Sequence, residues 1–124
     1  MGIRLELIDL QQNRQGYRQF LSCWVCQMEG LTFLVDPGPR STADHLISQI
    51  KALGIEQVDY VLLTHIHLDH GGGSSQVLSA FPGSRLYCYE KARSHMIEPG
   101  RLWQASLETI GDVARMYQEP SPVP

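Results

Sequence analysis

The densest run of metal-binding side chains in this 124-residue sequence is Thr64-His65-Ile66-His67-Leu68-Asp69-His70, with three imidazoles and a carboxylate inside six residues. His65 and His67 stand two apart, so an extended backbone points both to one side, where they can grip one ion. Asp69 and His70 follow at a bend, free to face a second ion beside the first. Imidazole nitrogens with a single carboxylate oxygen suit Zn²⁺, and also Fe or Mn. Two ions roughly 3.5–4 Å apart can share a hydroxide, polarise a carbonyl or phosphoryl oxygen and steady a leaving group. Zinc brings the pKa of its water to about 7, which supplies a nucleophile at neutral pH. Asp69 is the catalytic candidate as well as a candidate ligand. At this chain's own residue frequencies the HxHxDH pattern arises by chance about four times in ten thousand, a low false-positive risk. The bland alternative is a His-rich polar loop at a strand end.

The flanking residues supply the context such a loop needs. Val58 to Leu63 is an apolar run interrupted only by Asp59, as in a central strand buried on both faces. It leads directly into Thr64. Gly71, Gly72 and Gly73 follow, letting the backbone turn tightly around metals without side-chain clash. Ser74 and Ser75 then offer caps for a short helix through Ala80.

Upstream, Ile3, Leu5 and Leu7 alternate with Arg4, Glu6 and Ile8 in a strand-like period of two. Asn13 to Gly16 supplies turn residues. Tyr17 to Met28 and Leu31 to Val35 read as a hairpin about Glu29-Gly30, ending at the Asp36-Pro37-Gly38-Pro39 loop. Ser41 or Thr42 can cap a helix carrying Ala43, Leu46, Ile47, Ile50 and Leu53 on one face, and Gly54 stops it. His45 falls on the polar side of that helix and reads as solvated. Downstream, Leu86 to Tyr89 is a further strand and Arg101 to Tyr117 a helix weakened by Gly111. Glu119 to Pro124 is too rich in proline for regular structure and reads as a linker cut short. The order of elements predicts one α/β domain, residues 1–124, around a single sheet.

Bulk properties narrow the function classes. A net charge of −3 with no Lys/Arg cluster gives no footprint for nucleic acid. No apolar run reaches membrane-spanning length, and the N-terminus reads as a strand instead of a signal peptide. Cys23, Cys26 and Cys88 make no disulfide framework. Cys23 and Cys26 form a CxxC, but in a strand their thiols point to opposite faces, so we read ordinary cysteines in a reduced cytoplasm.

The run Thr64 to Gly72 resembles the signature loop of the metallo-β-lactamase superfamily, and Val35-Asp36-Pro37-Gly38 resembles its earlier Asp-x-Gly turn. The complete HxHxDH pattern is similar to lactonase and thiolester-hydrolase branches more than to true β-lactamases. The resemblance implies that His65 and His67 bind one metal, Asp69 and His70 a second, with Thr64, Gly71 and Gly72 in support. It makes Asp36 a residue that orders the loops; on its residues alone, Asp36 is equally a turn residue before proline. His95-Met96-Ile97-Glu98-Pro99-Gly100-Arg101-Leu102 is similar to a stretch found in uncharacterised hydrolases of the superfamily. There His95 is a candidate on the substrate side, and otherwise a surface histidine before a helix.

The implied fold is a four-layer αββα sandwich of two similar halves, of which this sequence matches the N-terminal half: a mixed sheet with helices on its outer face. A later Gly-His loop, a bridging Asp and a last His are not matched, so the expectation is a truncated chain with an incomplete site. The implied activity is hydrolysis of a small ester, thiolester, lactone or phosphoester, with two zinc ions in a complete site. A non-catalytic half-fold module and a redox member using iron are the competing readings. Half a sandwich leaves an apolar sheet face uncovered. Self-association or a complementary C-terminal half is the expected remedy.

Overall fold

A computed structural model describes residues 2–11 and 21–123. The turn expected at Asn13 to Gly16 and the strand start at Tyr17 lie outside the described residues. Five strands form one sheet in the order β1 (Arg4–Asp9), β2 (Ser22–Met28), β3 (Leu31–Val35), β4 (Tyr60–Leu62) and β5 (Arg85–Tyr87). The first three pair antiparallel and β3, β4 and β5 pair parallel. The β2–β3 hairpin closes through Glu29 and Gly30, both at positive φ, as a tight two-residue turn requires.

The parallel half needs crossovers, and helices supply them. Helix α1 (Ala43–Ala52) links β3 to β4 and buries Ala43, Leu46 and Ile50, the predicted stripe. Thr42 takes the N-cap position without a side-chain cap hydrogen bond, and a short 3₁₀ turn over Arg40–Thr42 leads into the helix. Helices α2 (Leu68–Gly71) and α3 (Ser74–Ala80) link β4 to β5. Gly73 takes the N-cap position of α3, and the Ser74 hydroxyl donates back to the Gly71 carbonyl at 2.7 Å. The expected serine caps are thus absent too.

Helices pack on one sheet face, where Val25, Leu34, Val61, Leu46, Ile50 and Val77 are fully buried. Each such side chain contributes about 1.5–3 kcal/mol. The opposite face is open. Leu7 lies beside Trp24, Trp24 beside Val35, and Leu62 beside Tyr87 in register. Phe33, Tyr60 and Tyr87 run across it with ring centroids 5.3 and 5.6 Å apart. Leu5, Leu7, Trp24 and Tyr87 are each roughly half exposed or more. Strand β4 is therefore fully buried only through Val61, and not on both faces as predicted. The Ile3-Leu5-Leu7 stripe likewise faces outward, and the strand meets the core through Ile8.

The C-terminal region departs furthest from expectation. A short helix, α4 (Arg93–Ile97), precedes α5 (Gly100–Ile110) and α6 (Asp112–Tyr117). The single predicted helix breaks at Gly111, whose φ of 51° and ψ of −114° no β-carbon-bearing residue adopts comfortably. The last residues are irregular, as predicted, but packed: Pro120 and Val123 are buried, and the Val123 amide donates to the Met96 carbonyl at 2.9 Å. A free linker does not describe them.

Candidate metal centre

The site forms where β3 and β4 end. Parallel strands release their chains at the same edge, and ligand sites gather there. Past Val35 the Asp36 amide still donates to the Leu62 carbonyl at 2.9 Å, while φ at Asp36 turns to 53° and directs the chain away. Past Leu62 the Leu63 amide donates to the Tyr87 carbonyl, and Thr64 to His67 cross the top of the sheet. His67, at φ −55° and ψ 152°, is the last extended residue. Leu68, 2% exposed, plugs into the core and starts the single turn of α2. His67 therefore ends on extended backbone, with Asp69 and His70 on the helical turn that follows.

Backbone contacts fix this turn against the Asp36 loop. The Gly38 amide donates to the His70 carbonyl at 2.8 Å, and the Gly73 amide to the Gly38 carbonyl at 2.8 Å. A β-carbon at Gly73 would lie 2.9 Å from the Pro39 carbonyl oxygen, so glycine is required for close approach.

The four side chains converge. His65, His67 and Asp69 place one ligand atom each within 4.8 Å of one another, and so do Asp36, His65 and His70. The His65 ring lies 5.1 Å from that of His67 and 3.9 Å from that of His70, centroid to centroid. His65 is thus common to both groups, because the turn of α2 swings His70 back over it. This grouping differs from the two sequential pairs that the resemblance implies.

Asp36 organises the loop. Its Oδ1 accepts from the Thr64 amide at 2.8 Å, and its Oδ2 from the Thr64 hydroxyl at 2.6 Å. That hydroxyl has one proton, and Asp36 takes it. The 3.0 Å contact between Thr64 Oγ1 and His65 Nδ1 therefore has the imidazole donating. His65 then carries its proton on Nδ1 and presents a bare Nε2, the form a metal needs. Burial, and then the neighbouring His70 and His67, hold the His65 pKa below its ordinary value and favour this neutral ring. His70 lies between carboxylates, Nδ1 3.4 Å from Asp36 Oδ2 and Nε2 3.4 Å from Asp69 Oδ2.

His95 is elsewhere. It sits half-buried on α4, in a shallow recess with Ser94, Glu98, Gly100 and Arg101, and joins neither ligand group. His45 is exposed on α1, as predicted, with Nε2 3.1 Å from the Asp9 carbonyl oxygen. The sequence reads Leu102, Ala105, Leu107, Ile110, Val113 and Met116 as the apolar stripe of the Arg101 to Tyr117 helix, without assigning any of it to the site beside the candidate ligands. Leu102, Ala105 and Ile110 of α5 face His67 and Asp69 across a cavity. Their i, i+3, i+8 spacing on one helical face was the available signal.

Comparison with known proteins agrees with this architecture. A family model described as the metallo-beta-lactamase superfamily matches residues 17–123. Hydroxyacylglutathione hydrolase of Aeromonas hydrophila is 41% identical over 64 residues, 52% of this chain and 24% of that enzyme. The anaerobic nitric oxide reductase flavorubredoxin of the same species is 26% identical over 65 residues, 52% of this chain and 13% of its own length. An archaeal metallo-beta-lactamase superfamily protein from Sulfolobus tokodaii superposes with a TM-score of 0.78 at 21% identity, over 97% of this chain and 44% of that one. The chain spans less than half the length of each of these relatives.

Proposed function

Because this chain belongs to the metallo-β-lactamase superfamily, we propose that it carries the first ligand loop of a metal-dependent hydrolase acting on a small ester, thiolester, lactone or phosphoester. The observation that supports this most is the convergence of His65, His67, Asp69 and His70 above the ends of β3 and β4. Three imidazole nitrogens and a carboxylate match what Zn²⁺ accepts, with Fe or Mn as alternatives. His65, His67, Asp69 and His70 are the ligands. Asp36 is a positioning residue, since Thr64 already occupies both of its oxygens. When bound, the metal supplies Lewis acidity and a water that ionises near neutral pH.

The chain's own residues do the rest. The Asp36–Thr64–His65 relay fixes the His65 tautomer. Asp36 beside His70 Nδ1 leaves Nε2 on the Asp69 side, and carboxylates orient metal-binding imidazoles in this way. Leu68 and Gly73 hold the turn rigid. A complementary half of the fold, packed on the open sheet face, completes the ligand set and the substrate pocket. Three free thiols fit a reducing cytoplasm.

The test is metal analysis of the full-length protein together with turnover of a generic thiolester, lactone and phosphodiester. Hydrolysis lost on chelation and restored by zinc supports the reading. Bound metal with no turnover of any substrate class overturns it in favour of a binding module. The flavorubredoxin similarity gives a redox reading some weight; iron content with a visible absorption band would favour it.

A further inference from the structure

A cavity of about 460 Å³ opens directly beside His67 and Asp69, between the α2 turn and the α5–α6 pair. That is the size of a small-molecule site. Its polarity is divided. One end carries His67 and Asp69; the wall is Leu102, Ala105, Ile110 and Val113. Three hydroxyl side chains also line it, Ser106, Thr109 and the buried Tyr117, and the first two are spent on the helix. Ser106 donates to the Leu102 carbonyl at 2.8 Å, and Thr109 to the Ala105 carbonyl at 2.7 Å. No lysine or arginine lines the cavity among the described residues, so its apolar wall offers no fixed cation to a charged substituent on the chain. Ile110, 42% exposed, adds its side chain to this apolar wall.

We propose that this cavity is an acyl pocket. It takes the neutral, apolar chain of a carboxylic ester or thiolester and places the scissile carbonyl at the ligand cluster, and α5 sets chain-length specificity. This rests on the hydrolase reading above and names its substrate class: aliphatic acyl groups instead of charged or hydroxylated ones.

The experiment uses zinc-loaded full-length protein and 4-nitrophenyl esters from acetate to octanoate. Transfer of each methylene into an apolar pocket raises kcat/KM about fourfold until the cavity is full. Ala105→Phe occupies the pocket from an exposed helical position, and it should lower the hexanoate-to-acetate ratio of kcat/KM at least tenfold. Gln104→Phe, on the opposite side of α5, should leave that ratio unchanged. A flat chain-length profile overturns the proposal while leaving the hydrolase reading intact, as does a ratio that Ala105→Phe leaves unmoved. If no ester is hydrolysed, the hydrolase reading has failed and binding decides the pocket. Titration with hexanoate should then shift the methyl resonances of Ile110 and Val113 saturably in the wild type and not in the Phe variant. Absence of such shifts overturns the pocket itself.

Discussion

Thr64 holds Asp36 at both carboxylate oxygens, through its amide at 2.8 Å and its hydroxyl at 2.6 Å. The pair spans 28 residues of sequence and ties the end of β3 to the start of the histidine loop. It also decides which nitrogen of His65 is bare. Asp36→Asn places an amide nitrogen against donors that need an acceptor. Metal affinity should fall about 10- to 100-fold, the usual effect of losing a residue that orients a ligand. Thr64→Ser keeps the relay and should retain most of the affinity. Competition against a fluorescent zinc chelator measures both, and equal losses would refute the relay.

His67→Ala and His65→Ala should each strip metal from the full-length protein and abolish hydrolysis, since a catalytic zinc is held by few ligands. His95→Ala should leave metal content at the wild-type level, because His95 lies with Glu98 and Arg101 and outside both ligand groups. Metal-to-protein ratios after dialysis provide the comparison. Depletion by His95→Ala as severe as by His67→Ala would contradict the assignment.

Gly111→Ala should destabilise the fold by about 1–3 kcal/mol, the usual cost of forcing a side chain into a disfavoured backbone region. The effect is strain and not crowding, as the nearest atom to a β-carbon there is 4.0 Å away. Because α5 and α6 wall the acyl cavity, the same change should blunt acyl selectivity. Thermal melting should fall measurably, while Gln104→Ala, a sound helix former in the middle of α5, should not lower it.

Burial pushes the Cys23 thiol up to about 12, with a backbone hydrogen bond opposing and the Asp36 charge reinforcing. The thiolate is the reactive form, and a raised pKa keeps Cys23 protonated at every pH below that value. Iodoacetamide at pH 8 should therefore modify Cys26 and Cys88 in the native protein and reach Cys23 only after denaturation. Native labelling of Cys23 at the rate of Cys88 would show that the strand opens more readily than its packing implies. Cys23 faces the core and Cys26 does not, so the CxxC spacing carries no disulfide chemistry here.

The candidate cluster was legible in the sequence because its members are local: His65 to His70 occupy one strand end and one turn, although spacing did not show that His65 falls in both groups. Asp36 was ambiguous for the opposite reason. Its partner Thr64 is distant in sequence, and an Asp before Pro in a turn has the same local signature with or without that partner. The helix break at Gly111 and the packing of Val123 against Met96 were missed because both depend on tertiary contacts. Periodicity marked Leu5 and Leu7 as a strand stripe but could not say whether that stripe faced helices or the other side of the sheet.

That other side governs solution behaviour. Leu5, Leu7, Trp24, Phe33, Tyr60 and Tyr87 form one apolar surface running from β1 to β5. Five strands about 4.8 Å apart make such a face roughly 20 Å across, and it runs about 20 Å along β1 and β2 and about 10 Å along the three-residue β4 and β5. Contiguous exposed apolar surface on this scale is rare on soluble monomers. We therefore expect the isolated 124-residue chain to self-associate, and the association to weaken when the face is charged. Leu7→Lys and Tyr87→Lys change only exposed positions, so the core on the helical side should survive both. Sedimentation velocity across a concentration series should show the wild-type chain shifting to larger species and the double variant shifting less. Circular dichroism would check that the variant keeps its secondary structure. A wild-type chain that sediments as a single monomer at all concentrations and melts cooperatively would mean that the open face is stable in water, and the case for a complementary half would fall with it.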